Sequence, residues 1–274
     1  MMEKIPESLA GRVGLWTMYP LSFSPLEIQD QKQLLSNHQL WGGYPAVHNL
    51  ENSEIKYRWL SNYKKTYLEK DVRDIKASVD IKNITRFQNV IAHRTGNLLS
   101  YTDVARDCGI SVTTAQNYMK LFELTFQVHL LMPYYQNHTK RMIKSPKLYF
   151  LDTGLINVIT GQYNQELSGN VYETWVFTEL LKWSSTKTIP PELFFYRTSA
   201  GFEIDFIIKH SGNKLLPIEV KNTKKPFASD VTPLKKFIAE HPDHADRGIL
   251  VYPGDEIIKF ASNIWAIPDR MLFL

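Results

Sequence analysis

Two short runs constrain this 274-residue chain more than any other feature. They are Gly201-Phe202-Glu203-Ile204-Asp205-Phe206 and Pro217-Ile218-Glu219-Val220-Lys221. Apolar and charged residues alternate in both, and a period of two marks a strand, whose successive side chains leave opposite faces. The spacing predicts Ile204 and Phe206 on one face, with Glu203 and Asp205 on the other. Ile218 and Val220 likewise face a core, while Glu219 and Lys221 share the opposite face. Pairing of the two strands would bring Asp205, Glu219 and Lys221 together at the sheet edge.

Carboxylates so placed are candidate ligands for Mg²⁺, a hard cation that takes oxygen ligands and water. Asp205 and Glu219 are the expected metal-binding pair, and such an ion would polarise a phosphodiester. Lys221 would position an attacking water or steady developing negative charge. Glu173, on a preceding helix, would add a further carboxylate. The expected catalytic set is therefore Asp205, Glu219, Lys221 and Glu173.

The elements around these runs define a fold class. Tyr172–Trp183 is predicted as a helix with Trp175, Val176, Phe177 and Leu180 inward. Strands are predicted at Leu193–Tyr196, Glu203–Lys209, Leu215–Lys221 and Gly248–Tyr252, with a helix at Asp230–Glu240. The order α-β-β-β-α-β implies an α/β block around a mixed sheet.

Charge is unevenly spread. Residues 81–149 carry nine basic and three acidic side chains, net +6, against 0 in residues 1–80 and −2 in residues 150–274. The basic middle third resembles a winged helix-turn-helix. Thr102 is a candidate cap for a helix to about Asp107, Gly109 permits the tight turn, and Ser111 caps a second helix. Val112, Ala115, Tyr118, Met119 and Phe122 form its buried face. Thr113, Thr114, Gln116, Asn117 and Lys120 point away, as side chains that read base edges or phosphates would. Strand-like runs at Phe126–Tyr135 and Lys147–Asp152 enclose Lys140, Arg141 and Lys144, a basic hairpin suited to phosphates. DNA is the expected partner, with a protein-only role for this module as the competing expectation.

The first third reads as helices and turns. Trp41-Gly42-Gly43-Tyr44-Pro45 is a turn signal. A helix is predicted from about Ser53 to Asp74, with Ile55, Trp59, Leu60, Tyr63, Tyr67 and Val72 on its apolar stripe. Cys108 is the single cysteine, so no intramolecular disulfide forms, and it reads as a small buried hydrophobe. His93, His129 and His138 read as surface or cap residues. No apolar run is long enough for a membrane span, and a cytoplasmic setting is expected. None of the 13 glycines precedes a lysine, so the chain contains no GxxxxGK[ST] phosphate-binding loop and no ATP site of that kind.

The helix acid Glu173, the strand acid Asp205 and the Glu219-x-Lys221 pair are together similar to the PD-(D/E)XK nuclease superfamily. Ile204 stands where many members have proline. A wider resemblance rests on Leu9-Ala10-Gly11-Arg12, Tyr19–Ser24 (YPLSFS), Gly42-Gly43-Tyr44-Pro45, Tyr63–Asp74 (YKKTYLEKDVRD), Tyr149–Leu155 (YFLDTGL), Tyr172-Glu173 and Pro217–Lys221. Jointly these resemble an uncharacterised prokaryotic family of AAA-like P-loop ATPases with a lid, a winged helix and a C-terminal nuclease-like domain. The resemblance implies a multidomain α+β protein. Residues 1–80 would be a helical lid remnant, 81–149 a winged helix-turn-helix and 150–274 an α/β restriction-endonuclease-like domain. It also implies that the chain corresponds to the C-terminal portion of such an ATPase, with a separate ATPase subunit or another protein as a further partner.

Overall fold

The computed structural model describes residue 14 and residues 16–23, 31–70, 80–135, 145–163 and 166–272. Helices α1 (Gln31–Trp41), α2 (Pro45–His48) and α3 (Ser53–Glu69) lead the chain. Then come α4 (Ile81–Ala92), α5 (Tyr101–Cys108) and α6 (Val112–Leu124). Strands β1 (Val128–Leu131) and β2 (Lys147–Phe150) pair antiparallel, with Leu131 opposite Lys147. Helix α7 (Thr153–Thr160) packs on α1, α3 and α4. One apolar cluster joins Ile84, Phe87, Val104, Met119, Phe122, Phe150 and Leu155, so α4–α6 and the strand pair share a core.

Helix α8 (Gly169–Ser185) precedes a six-stranded mixed sheet. Its strands are β3 (Glu192–Arg197), β4 (Glu203–Lys209), β5 (Leu215–Val220), β6 (Gly248–Tyr252), β7 (Ile258–Ala261) and β8 (Ile264–Pro268). Their spatial order is β3-β4-β5-β6-β8-β7. The first three form an antiparallel meander, and β6 lies parallel to β5 after the crossover helix α9 (Thr232–Glu240). Trp175, Val176, Phe177 and Leu180 of α8 pack on Phe206, Ile208, Ile218 and Val251. On the other face Leu234 and Phe237 of α9 pack on Ile204, Ile207, Leu215 and Leu250. Most of the circumference of α8 is buried, with the polar Thr174, Thr178, Glu179 and Lys182 among its buried residues.

The α-β-β-β-α-β order is present, and β7 and β8 extend the sheet beyond it. Four local expectations are corrected. Ile204 and Phe206 do not share a face. The β3–β4 register slips so that Asp205 and Phe206 together oppose Phe195, a bulge that breaks the alternation. Phe206 therefore joins the α8 side and Ile204 the α9 side. β4 and β5 are interior strands, so Asp205 and Glu219 do not lie on an edge strand. Ser100, not Thr102, caps α5 through its Oγ. The predicted strand Phe126–Tyr135 is confined to Val128–Leu131, and Phe126, at φ +56, lies outside the extended region before it.

In α3, Leu60, Tyr67 and Leu68 are buried but Ile55, in the first turn, is exposed. Val72 and the rest of that predicted helix lie outside the described residues, as do Lys140, Arg141, Lys144, His138, Arg12 and Ser24. Trp41, Trp175 and Cys108 are buried, while His129 is half-buried with its ring against Phe177. Among the described residues no helix is long and apolar enough to cross a membrane.

Candidate functional site

The sheet and α8 bring Glu173, Asp205, Glu219 and Lys221 into one neighbourhood, together with three side chains the sequence did not single out, Lys147, Tyr149 and Arg197. Lys147 opens β2, and its Nζ lies 3.0 Å from Glu173 Oε1, 2.6 Å from Glu203 Oε1 and 3.7 Å from Asp205 Oδ1. Its side chain is 4% exposed. Tyr149, two residues on along β2, donates its hydroxyl to Glu173 Oε1 at 2.6 Å. Arg197 Nη1 lies 2.8 Å from the other Glu203 oxygen.

The C-terminal end of β5 completes the cluster. The Val220 backbone N–H donates to Asp205 Oδ2 at 2.9 Å. Lys221 Nζ stands 3.1 Å from Glu219 Oε2. Glu219 Oε1 is sealed from solvent, and no hydrogen-bond donor among the described residues reaches it.

The electrostatics follow from one buried acid, Glu219, and three half-buried ones, Glu173, Glu203 and Asp205, near two ammonium groups. Burial, then the neighbouring Asp205 charge, pushes the Glu173 carboxyl up to about 7, against the pull of Lys147 and Tyr149. Burial raises Glu219 well above the usual carboxylate range, and Asp205 adds to the shift. Burial disfavours the Lys147 ammonium, but Glu173, Asp205 and Glu203 outweigh it and hold its pKa above the ordinary lysine value. For Lys221 the same contest ends the same way, with Glu219 and Asp205 the favouring charges. The cluster thus neutralises itself, through the lysines and through protons kept on acids.

This arrangement does not suit a hydrated Mg²⁺ on Asp205 and Glu219. Both Asp205 oxygens face positive or N–H groups, one Glu219 oxygen faces Lys221, and the other is sealed. Among the described residues no group of three or more His, Cys, Asp or Glu side chains has metal-holding geometry.

The residues expected to read DNA, Thr113, Thr114, Gln116, Asn117 and Lys120, lie apart from the acids in sequence, on α6. Gly109 ends α5 at φ +67, a left-handed turn that costs other residues more than glycine. Ser111 Oγ accepts from the Thr114 N–H at 3.0 Å and so caps α6. Thr113, Gln116, Asn117 and Lys120 are exposed, while Ala115, Tyr118, Met119 and Phe122 are buried. Thr114 is drawn into the cap, its hydroxyl 2.8 Å from Ser111 Oγ. Val112, expected inward, is 40% exposed at the first position of the helix.

Residues 168–272 match a domain of unknown function, DUF4143. Residues 32–166 match another, DUF8612. Lys147 and Tyr149 thus come from the first matched region, and Glu173, Glu203, Asp205 and Glu219 from the second. Uncharacterized proteins of Mycobacterium tuberculosis and Mycobacterium bovis are each 28% identical over 276 residues, covering 97% of this chain and 59% of the relative. An uncharacterized protein of Methanocaldococcus jannaschii is 24% identical over 252 residues, covering 82% of this chain and 54% of the relative. The chain therefore spans little more than half the length of these curated relatives. Among solved structures, a half-complex of Thermococcus gammatolerans McrB AAA+ hexamers with bound McrC matches 68% of this chain and 45% of that one. It does so at 9% identity and a TM-score of 0.28, a likeness too weak to carry an argument.

Two sequence motifs outside the acid cluster meet in a structural joint. Asp152 caps α7 by accepting from the Leu155 N–H at 2.9 Å, and its other oxygen accepts from the Gly43 N–H at 2.8 Å. Burial pushes this carboxyl up to about 6. Gly154 lies so close to the end of α1 that an added Cβ would fall 2.0 Å from the Trp41 carbonyl oxygen. The Gly42-Gly43 and Asp152-Thr153-Gly154 motifs thus dock α1 on α7.

Residues 21–23 are gripped similarly. The Leu21 carbonyl oxygen accepts from His38 Nε2 at 2.9 Å and from Lys182 Nζ at 3.0 Å, and the Phe23 N–H donates to Glu179 Oε2 at 2.9 Å.

Proposed function

We propose that this protein binds duplex DNA through α5 and α6, with α6 as the recognition helix of a winged helix-turn-helix spanning residues 81–149. The observation that carries this is the outward row Thr113, Gln116, Asn117 and Lys120. It lies on a capped helix set after the left-handed Gly109 turn. Side chains of these types pair with base edges and phosphates when a helix enters the major groove. The net charge of +6 over residues 81–149, and Lys140, Arg141 and Lys144 between β1 and β2, support phosphate contact.

Residues 150–274 are read as a nuclease-like domain. The supports are the α8-β3-β4-β5-α9-β6 order and the Glu173, Asp205, Glu219-x-Lys221 placement. The pairing of its acids with Lys147 favours a scaffold over a cleaving centre. Residues 1–80 are read as a lid remnant. The whole chain is read as corresponding to the C-terminal portion of an AAA-like ATPase-family protein. Its motif resemblance supports that placement.

The test is fluorescence anisotropy with a labelled duplex at low salt. The protein should bind, affinity should fall steeply with added salt, and Thr113→Ala/Gln116→Ala/Asn117→Ala should weaken binding by roughly tenfold or more. No binding at low salt, or equal binding by the triple variant, would reject the proposal.

A further inference from the structure

We propose that the Lys147 ammonium is the resident cation of the acid cluster and keeps divalent metal off Asp205 and Glu219. This does not depend on the DNA reading, which rests on α6.

Lys147 Nζ reaches oxygens of three separate carboxylates, carried by α8 and by two positions of β4. A buried dication would sit at such a convergence, and a lysine already stands there. Its backbone is held on both sides. Leu131 pairs with it across the β1–β2 ladder, and Leu98 bridges to it from the loop before α5. The Phe195 ring lies under the ammonium, 5.7 Å from Nζ to centroid. Withdrawal of the side chain would strip the cation from Glu173 and Glu203 together, so the lysine is not free to yield its place.

The Glu219 Oε1 atom is the complementary sign. It is buried with no hydrogen-bond partner among the described residues, and burial together with the Asp205 charge favours the proton-bearing form of this carboxyl over one that takes a cation. Any dication bridging it to Asp205 would lie close to Lys147, which already stands 3.7 Å from Asp205 Oδ1. Like charges at that range repel strongly in a partly buried site. Without the lysine charge the same oxygens become a set of hard ligands of the kind Mg²⁺ and Mn²⁺ take.

The probe is Mn²⁺, with binding by the full chain followed by electron paramagnetic resonance of the free ion. Four proteins are compared: wild type, Lys147→Met, Asp205→Asn, and Lys147→Met/Asp205→Asn. Wild type and Asp205→Asn should give the same weak uptake. Lys147→Met, similar in length but uncharged, should bind Mn²⁺ roughly tenfold or more tightly, and the double variant should lose that gain. Circular dichroism reports whether Lys147→Met is folded. Asp205-dependent Mn²⁺ binding by wild type would overturn the proposal, as would a folded Lys147→Met with no gain. If Lys147→Met does not fold, wild type against Asp205→Asn decides alone. Equal uptake upholds the lysine as the excluding cation, and Asp205-dependent uptake refutes it.

Discussion

Lys147 Nζ lies 3.0 Å from Glu173 Oε1, a contact between the first residue of β2 and the first turns of α8 that is almost closed to solvent at both ends. Removing one partner of a buried pair leaves a charge without compensation, at a cost of about 3–5 kcal/mol. Lys147→Ala should lower the unfolding free energy by about that amount. Adding Glu173→Gln to Lys147→Ala should recover part of the loss, because one of the stranded acids is then neutral. Urea unfolding of the four proteins in the cycle measures the coupling. Strictly additive losses would contradict a shared cluster.

His38 fixes a pH dependence of stability. Its Nδ1 accepts from the Trp175 indole N–H at 3.0 Å, so the ring proton sits on Nε2 and is given to the Leu21 carbonyl. Burial, reinforced by Lys182, lowers the His38 pKa from 6.5 to about 3. As pH falls below 6.5 the unfolded chain takes up a proton that the folded protein refuses. This group therefore removes stability over that window, at up to about 1.4 kcal/mol per pH unit. His38→Gln should show a shallower loss between about pH 6 and pH 4 than wild type. Identical slopes in urea melts at several pH values would refute the assignment.

Gly154 is the tightest point of the joint between α1 and α7. A methyl group there meets the Trp41 backbone rather than a side chain that can move aside. Overpacking of this kind costs about 1–3 kcal/mol. Gly154→Ala should lower the melting temperature by several degrees. Gly169→Ala, in open space at the start of α8, should be neutral or slightly stabilising. Equal behaviour of the two variants in thermal melts would contradict the joint.

Much of the fold around the acids was legible because local signals agreed. Alternation marked β4 and β5, Gly109 and Ser111 marked the turn and cap, and the apolar run at 248–252 marked β6. The bulge at Asp205 and Phe206 was not legible, since it depends on how β3 pairs with β4 rather than on composition. Lys147 escaped notice for a related reason. Alone it reads as one more basic residue near a hairpin, and its role exists only once β2 docks beside α8. Arg197 on Glu203 and Tyr149 on Glu173 are of the same kind. A buried-face signal was available: Lys147 begins the apolar run Leu148-Tyr149-Phe150, and a lysine opening a fully buried strand requires a partner.

The most direct test of the DNA proposal is amide hydrogen exchange of the full chain with and without a duplex at low salt. Added protection is expected along α6, from Ser111 to Lys120, with no change around Glu219 and Lys221. Protection absent from α6, or confined to the end of β5, would contradict it.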